Sequence, residues 1–332
     1  MAILKSSKAI RVAVIGCGTI GNLHIDNLLK SEGIEIIALY NRGIENLEKA
    51  GKKVPKARMY QDVTKMLLKE KIDVAIISVM PTNHGEIEEL CCKKGIHMFI
   101  ENPVAFSYDI ANKINEAIKY SNVLVSVDFQ ERYSSPIDIV RQILQTEVPC
   151  GVSAYCINSM PTSQWKRLKE QSGGQILEQS THVIDMLRYL FGEVDLVYAT
   201  ARNDQRLNLA AHTISDHSSM VLSFKSGEVA TLQTGCYIKN ELLQKVGFDI
   251  ITPRCMISYE CGKSLTVTSG ERTEKINILQ DNKTTALETF IKAVKSNDGI
   301  SIKSDYQDAI ASLNVSLMAN KSIETAVPEK IL

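Results

Sequence analysis

The 332-residue sequence carries no excess of charge of either sign and no long apolar run. Its 38 basic and 38 acidic residues give a formal net charge of zero, so charge predicts neither a nucleic-acid partner nor an anionic membrane. No apolar segment approaches the roughly 20 residues that a membrane helix needs. The stretch before the first strand also lacks the apolar core of a secretory signal, and we therefore expect a cytoplasmic protein.

Ordered cysteine spacing is absent as well. The eight cysteines show no C-x-x-C pair and no spacing typical of a disulfide framework, which predicts free thiols. There are no internal repeats or low-complexity tracts. Length and composition instead agree with a soluble enzyme that has two domains of ordinary size.

The most informative feature is a glycine-rich turn between a strand and a helix. An apolar strand at 11–15 runs into G-x-G-x-x-G at 16–21, and a helical segment follows at 22–30. The first glycine permits a tight turn, the second lets the backbone approach a pyrophosphate, and the third lets the helix pack close to the strand. This context predicts a dinucleotide-binding turn; a glycine-rich turn without a cofactor is the alternative. The residues expected to hold the pyrophosphate are Gly16, Gly18, Thr19, Ile20 and Gly21.

The end of the second strand, at 34–39, favours NADP(H). An acidic residue there would bind the ribose 2′-hydroxyl and repel a 2′-phosphate, but the chain has Asn41 and Arg42. Arg42 could pair with the phosphate, and Asn41 carries no charge to oppose it. We therefore expect NADP or NAD as cofactor, with NADP tolerated or preferred. The alternative is that Arg42 simply points into solvent.

Strands and helices alternate over the first part of the chain. Helical segments are expected at 44–53, 63–70, 85–94 and 107–120, and strands at 73–79, 97–100 and 123–127. This alternation predicts an α/β fold in which residues 1–128 form a Rossmann domain with a doubly wound parallel sheet.

The composition changes after this domain. Strands at 152–158, 196–201, 219–224, 229–235 and 256–259 succeed one another with few helices between them. This succession predicts that residues 129–332 form an α+β domain with an open mixed, mostly antiparallel sheet. One amphipathic helix is expected at 175–191, and closing helices are expected at 285–294 and 306–322. The final helix is expected to pack back on the Rossmann domain.

Several short motifs carry a resemblance to a known family. They are the glycine-rich turn, S-V-M-P-T-N-H at 78–84, E-N-P at 101–103, R-Y at 132–133 with Pro136, G-G-Q-I-L-E-Q-S-T-H-V-I-D at 173–185, and the C-terminal helix with Ser322. In this order they resemble the glucose-fructose oxidoreductase and inositol dehydrogenase-like (Gfo/Idh/MocA) oxidoreductases over nearly the whole chain. The resemblance implies a Rossmann domain joined to an open β-sheet domain, whose face binds substrate and often forms oligomers. A homo-oligomer through that sheet is therefore expected.

The resemblance also implies a reaction. The family's usual chemistry is reversible hydride transfer between a nicotinamide cofactor and the carbinol carbon of a sugar, cyclitol or dihydrodiol. Such a reaction needs a base beside the hydroxyl group and a fixed nicotinamide face. The residues expected beside the cofactor, at the ends of the Rossmann strands, are Ser78, Pro81, His84 and Glu101.

One position departs from the family pattern. Relatives carry a lysine in a Glu-Lys-Pro motif, whereas this chain has Asn102, which can orient a substrate but cannot act as its base. His182, which matches the histidine of the family's helix motif, then becomes the best candidate for the base. Glu178, one helical turn earlier, could raise its basicity, and Asp185 could fix its tautomer or bind substrate hydroxyls.

Other polar residues are weaker candidates for substrate binding. Lys166 could bring an ammonium group into the pocket, and Trp165, the only tryptophan, could stack on a ring or serve only in packing. Arg132 lines the pocket or joins the two domains. The spacing of His212, Asp216 and His217 matches no metal-binding signature, so no metal site is predicted.

Two functions remain open. The first is an NAD(P)-dependent oxidoreductase acting on a small polyhydroxylated or cyclic alcohol. The second is a nucleotide-binding sensor or scaffold that kept the cofactor fold and lost turnover together with the lysine. The presence of Glu178, His182 and Asp185 favours the first.

Overall fold

The computed structural model describes residues 9–202, 212–239 and 241–331. The chain divides into two compact units. The described part of the first comprises residues 9–105, 109–128 and 286–306, and that of the second lies within 106–108, 129–285 and 307–331. Within these ranges, no helix has both the length and the apolarity to cross a bilayer.

The first unit contains a six-stranded sheet with helices between the strands. In chain order its elements are β1 (Ile10–Ile15), α1 (Thr19–Leu28), β2 (Ile34–Tyr40), α2 (Ile44–Lys53), β3 (Arg58–Tyr60), α3 (Val63–Lys69), β4 (Val74–Ile77), α4 (Glu86–Lys94), β5 (His97–Ile100), α5 (Tyr108–Lys119) and β6 (Val125–Val127). All neighbouring strands pair in parallel, in the order β3-β2-β1-β4-β5-β6. The predicted doubly wound Rossmann sheet is therefore confirmed.

Burial explains why the central strands were easy to find. Every residue of β4, and β1 from Val12 onward, is inaccessible to solvent. Parallel strands covered on both faces have apolar sequences without alternation. Strand β3 was missed because it has only three residues, two of them exposed, and pairs with the end of β2 alone. Helix α1 begins at Thr19, earlier than the expected residue 22.

The remaining elements include a nine-stranded sheet. In chain order they are α6 (Ser135–Ile143), β7 (Gly151–Ser159), α7 (Lys169–Ser172), α8 (Thr181–Phe191), β8 (Val194–Arg202), β9 (His217–Phe224), β10 (Val229–Ile238), β11 (Lys245–Ile251), β12 (Met256–Glu260), β13 (Ser264–Ser269), β14 (Arg272–Asn277), α9 (Asn282–Ser296), α10 (Tyr306–Thr325) and β15 (Glu329–Lys330). The sheet order is β14-β13-β12-β11-β7-β10-β9-β8-β15, and only β7 and β10 pair in parallel. The predicted mixed, mostly antiparallel sheet is confirmed.

Four of these strands, β11, β13, β14 and the two-residue β15, were not expected from the sequence. Every residue of β14 is exposed, so its sequence shows no apolar alternation. Strand β11 contains Gly247, where a Cβ atom would lie 1.9 Å from the carbonyl oxygen of Tyr259. A glycine that permits such a close backbone approach weakens the strand pattern. Strand β13 was missed too, although Leu265 is fully buried.

The helix predicted over 175–191 is present with those bounds, but it is not an α-helix throughout. A π-helical turn at Ile176–Ser180 precedes α8, which begins only at Thr181. Gly173 and Gly174 come before this turn with φ values of +76° and +90°. A Cβ atom on Gly173 would lie 2.1 Å from Leu177, so glycine lets the turn pack tightly against the preceding backbone.

Several contacts of α10 are made with α8 and β8. Its Ser312 hydroxyl donates to Asp185, and Arg188 donates to the Ser312 hydroxyl. Its Ser322 hydroxyl accepts the N–H of Ala199. These contacts join α10 to the second unit, and packing of this helix on the Rossmann domain stays a prediction.

Candidate functional site

Backbone atoms enclose the glycine turn of the first unit. A Cβ atom on Gly16 would lie 2.2 Å from the carbonyl oxygen of Ser78, and one on Gly21 would lie 1.8 Å from the carbonyl oxygen of Gly16. Around Gly18, by contrast, a Cβ atom would meet nothing within 4 Å. The first and third glycines therefore allow close packing, while the second leaves open space beside the backbone. A pyrophosphate fits that arrangement.

The N-terminus of α1 also suits an anion. The helix begins at Thr19 directly after the turn, and Thr19 and Ile20 are exposed. The first N–H groups of a helix have no intrahelical acceptor, and the helix dipole favours negative charge there. No acidic side chain stands in the first turn to repel a phosphate. Roles in cofactor binding for these residues are supported by this geometry and stay predictions.

The end of β2 carries the two residues that bear on cofactor choice. Asn41 Oδ1 accepts the N–H of Cys17 at 3.1 Å, and its Nδ2 donates to the carbonyl of Gly43 at 2.8 Å. Asn41 is thereby fixed beside the glycine turn, as cofactor recognition would require. Arg42 is exposed.

The segment after β4 combines a backbone contact with a buried histidine. The Ser78 carbonyl closes against Gly16, and Pro81 begins a short 3-10 turn. His84 is buried, and its Nδ1 lies 2.5 Å from Glu88 Oε1. The other carboxylate oxygen of Glu88 accepts the N–H of Gly85 at 2.7 Å. These contacts fix His84 against the start of α4, and its place beside the cofactor stays a prediction.

Glu101 lies in a cluster that sequence reasoning missed. His24, fully buried on α1, has its Nε2 atom 2.6 Å from Glu101 Oε1. Ligand-type atoms of His24, Glu101 and the buried Asp128 all lie within 4.8 Å of one another, close enough to bind one cation. Asn102 donates from Nδ2 to the backbone carbonyl of Asp128 at 2.9 Å. The one sign of this cluster in the sequence is His24, a histidine on the helix that follows the glycine turn.

Three predicted site residues, Glu178, Lys166 and Trp165, come together in the second unit. Glu178, 9% exposed on the π-turn, accepts a hydrogen bond from Lys166 Nζ. The same Nζ lies 5.4 Å from the centre of the Trp165 ring. His182 lies in the first turn of α8, and its ring meets that of Phe129 edge to face at 6.2 Å. The π-turn thus places a buried carboxylate with its ammonium partner just before the histidine.

Arg132 and Asp185 form a buried ion pair in the same unit. The guanidinium donates to both carboxylate oxygens of Asp185 at 2.8 Å and also to Asp308 at 2.8 Å. Burial alone would lower the pKa of Arg132, but the two carboxylates outweigh it and the pKa is raised. Asp185 also accepts a hydrogen bond from the Ser312 hydroxyl, so its carboxylate oxygens are engaged by protein groups. These contacts indicate a positioning role, and substrate binding by either residue stays a prediction.

Comparison with known proteins gives the family. Residues 10–129 match the model of the "Oxidoreductase family, NAD-binding Rossmann fold", and residues 149–259 match the "GFO/IDH/MocA C-terminal domain". The chain belongs to the Gfo/Idh/MocA oxidoreductase family. The resemblance inferred from the six motifs is confirmed, and so is a nicotinamide dinucleotide as the family's cofactor.

Three similar proteins are dehydrogenases by name. A myo-inositol 2-dehydrogenase of Thermotoga maritima is 24% identical over 95% of this chain and 96% of its own length. A glucose-6-phosphate 3-dehydrogenase of Bacillus subtilis is 22% identical over 79% of this chain and 73% of its own. A levoglucosan dehydrogenase structure, in complex with NADH and levoglucosan, has a TM-score of 0.85 at 16% identity and covers 98% of this chain and 100% of its own. At that identity the likeness shows the fold.

The part of the chain matched by the Gfo/Idh/MocA C-terminal domain holds a further polar cluster. Tyr237 donates from its hydroxyl to Asp216 at 2.7 Å and contacts Nε2 of the buried His212. Because the single phenolic proton goes to Asp216, His212 must donate to the phenol oxygen. Burial, followed by the bond to Asp216, raises the pKa of Tyr237. Sequence spacing missed the cluster because Tyr237 comes from β10.

Proposed function

We propose that this chain is an NAD(P)-dependent dehydrogenase that transfers a hydride between the nicotinamide and a secondary alcohol of a sugar, cyclitol or related cyclic polyol. The observation that carries the proposal is the half-buried His182, placed directly after a π-turn that holds a buried carboxylate–ammonium pair. Single π-turns within helices are rare and occur often at functional sites. The names of the similar proteins agree with an alcohol substrate.

The two units supply different parts of this chemistry. The glycine turn and the N-terminus of α1 would hold the pyrophosphate, and the bound nicotinamide supplies a hydride acceptor. His182 would take the hydroxyl proton, because imidazole is the side chain that accepts and releases a proton near neutral pH. As the proton moves to His182, the electron pair of the O–H bond would form the second bond of the carbonyl group, and the electron pair of the carbinol C–H bond would leave with the hydride to the oxidised nicotinamide.

We also propose that NADP(H) binds at least as well as NAD(H). Neither Asn41 nor Arg42 is acidic, and Asn41 is fixed beside the glycine turn by its bond to Cys17. The exposed guanidinium of Arg42 is available for a 2′-phosphate, which arginine can bind through two hydrogen bonds.

The replacement His182→Ala tests the proposed reaction. The wild type should reduce NAD⁺ or NADP⁺ with at least one member of a panel of inositols, sugars, sugar phosphates and anhydrosugars. The absorbance of the reduced cofactor measures this reaction. His182→Ala should lower kcat by a factor of about 10² to 10⁴ with little effect on cofactor affinity. His217→Ala, which removes an exposed histidine of the same unit, is the matched control. Equal turnover by the two variants would show that His182 is structural.

A second candidate function is a nucleotide-binding sensor that has lost turnover. The observation that favours it is the bond from the Asn102 amide to the Asp128 backbone carbonyl, which occupies this side chain, and a neutral amide cannot act as an acid or base. This candidate predicts tight binding of NADH or NADPH, and no substrate of the panel should reduce NAD⁺ or NADP⁺ in the presence of the protein. Asn102→Lys would then create dehydrogenase activity, whereas in a redesigned active site it should reduce the native activity.

We further propose a homo-oligomer formed through the second sheet. Tyr198 and Val221 are directly paired on β8 and β9, and both are exposed, at 40% and 37%. Val229 of β10 is 52% exposed, so apolar side chains continue on to a third strand. Light scattering of the purified protein measures the molar mass of the assembly. The replacement Val221→Lys should dissociate it, because it places a charge among the exposed apolar side chains.

A further inference from the structure

The reacting oxygen of a dehydrogenase site is stabilised by hydrogen-bond donors or cations placed beside it. As the hydroxyl proton leaves, negative charge develops on that oxygen, and fixed donors or cations that stabilise it lower the barrier most. Asn102, which is neutral, cannot supply a positive charge. The inference below rests on the proposed function.

The arginines beside α8 are already neutralised by carboxylates. Arg132 is 4% exposed and spans Asp185 and Asp308. Arg188 is buried as well, and it pairs with Glu193 and donates to the Ser312 hydroxyl. An arginine held by several fixed acceptors has little freedom to turn towards a substrate, so neither of these cations is suited to an oxygen whose charge changes.

Lys166 is placed differently. Its side chain is 33% exposed, whereas that of its partner Glu178 is 8% exposed. The buried carboxylate therefore anchors an ammonium group that a ligand can still reach. An ammonium group has three N–H donors, and the bond to Glu178 uses one of them. The Trp165 ring, 5.4 Å from Nζ, adds a cation–π contact that further limits the position of the charge.

A second observation at Glu178 points to a ligand. Its other carboxylate oxygen, Oε2, is buried and has no hydrogen-bond partner among the residues that the structure describes. Leaving a buried carboxylate oxygen without a donor is costly. A hydroxyl group of a polyol bound against the ammonium would supply the missing donor.

We propose that Lys166 is the cation that stabilises the reacting oxygen, and that Glu178 is the residue that positions it. The ammonium would donate a hydrogen bond to the oxygen that loses its proton to His182. In this role Lys166 acts as a hydrogen-bond donor and a fixed positive charge, while His182 remains the base. The positive charge that Asn102 lacks would thus come from Lys166, which lies in the segment before the π-turn.

The test compares three single replacements in the full chain, using a polyol from the panel that the wild type oxidises. Lys166→Met should lower kcat by about 10² to 10³, the usual cost of removing one stabilising donor. Lys166→Arg keeps the charge and should retain most of the rate lost in Lys166→Met. Lys169→Met, which removes an exposed lysine paired with Glu324, should match the wild type. The Kd for NADPH should be unchanged in all three variants.

Several outcomes would overturn the proposal. A Lys166→Met rate within threefold of that of Lys169→Met would show that the ammonium does not act in the reaction. Equal losses in Lys166→Met and Lys166→Arg, with a lowered unfolding midpoint, would show that Lys166 only neutralises Glu178. If an additional variant, Arg167→Met, lost the rate while Lys166→Met kept it, the guanidinium of the neighbouring residue in sequence would be the cation instead. A wild type that oxidises no polyol of the panel would overturn the proposed function itself.

Discussion

The first unit builds its candidate binding site from backbone atoms, whereas the second builds its site from charged side chains. In the glycine turn, a Cβ atom on Gly16 would collide with the carbonyl oxygen of Ser78, and one on Gly21 would collide with the carbonyl oxygen of Gly16. Around α8, the contacts are ion pairs of Arg132, Lys166 and their carboxylate partners. A backbone site tolerates few side chains at its glycines, while a charged site tolerates loss of neither partner of a pair.

The largest effect is expected from breaking the charged network of the second unit. Arg132→Met leaves Asp185, which is 1% exposed, without its bidentate partner. Removing one member of a buried pair typically lowers the free energy of unfolding by about 3–5 kcal/mol. Trp165, the only tryptophan, reports on this unit, so urea unfolding followed by tryptophan fluorescence measures the loss.

The matched control for that prediction is Lys169→Met. It breaks an exposed pair with Glu324, which should contribute no more than about 1 kcal/mol. A similar small loss in Arg132→Met would contradict the structural role of the arginine. Its role in substrate binding, as expected from the sequence, would then become the better explanation.

The backbone site of the first unit gives the next largest effect. Gly21→Ala would force a Cβ atom to within 1.8 Å of the Gly16 carbonyl, and overpacking of this kind costs about 1–3 kcal/mol. Gly18→Ala meets open space, so its unfolding should be almost unchanged while its cofactor Kd rises about tenfold, or about 1.4 kcal/mol. Urea unfolding and NADPH titration of both variants measure the two effects. If Gly18→Ala binds NADPH like the wild type, the open space is not the pyrophosphate site.

The smallest effect sharpens the same comparison at the end of β2. Asn41→Asp keeps an acceptor for the Cys17 N–H but adds a charge that repels a 2′-phosphate. The ratio of the NADPH and NADH dissociation constants should shift towards NADH by about tenfold, or about 1.4 kcal/mol. Asn122→Asp, the same change at an exposed position of this unit, should leave the ratio unchanged. A wild type that binds NADPH more than tenfold weaker than NADH would contradict the prediction.

The two units also differ in how far the sequence could predict them. In the first, buried strands such as β4 have continuous apolar sequences, and glycines mark the turn where a side chain cannot fit. In the second, the exposed β14 and the glycine-containing β11 have no such pattern, and both were missed. Conformational requirements on single residues are visible locally, whereas strand pairing at the edge of a sheet is not.

The candidate site shows the same division. His182, Glu178 and Lys166 were identified from the sequence, but the expected helical face would have paired Glu178 with His182. In the structure Glu178 pairs with Lys166, and Glu178 lies on a π-turn that leads directly into α8. His24, Asp128 and Tyr237 were missed, since each acquires its polar neighbours from distant elements.

The sequence by itself determined the two fold classes, the family and the glycine turn. Each of these depends on periodicity or on a residue type that one backbone conformation requires, and neighbouring residues decide both. Tertiary structure alone decided which charges neutralise each other. Arg132 pairs with Asp185 across 53 positions, and Lys166 pairs with Glu178 across the turn at Gly173 and Gly174. Electrostatic pairing depends on distance in space and on burial, which local sequence does not encode.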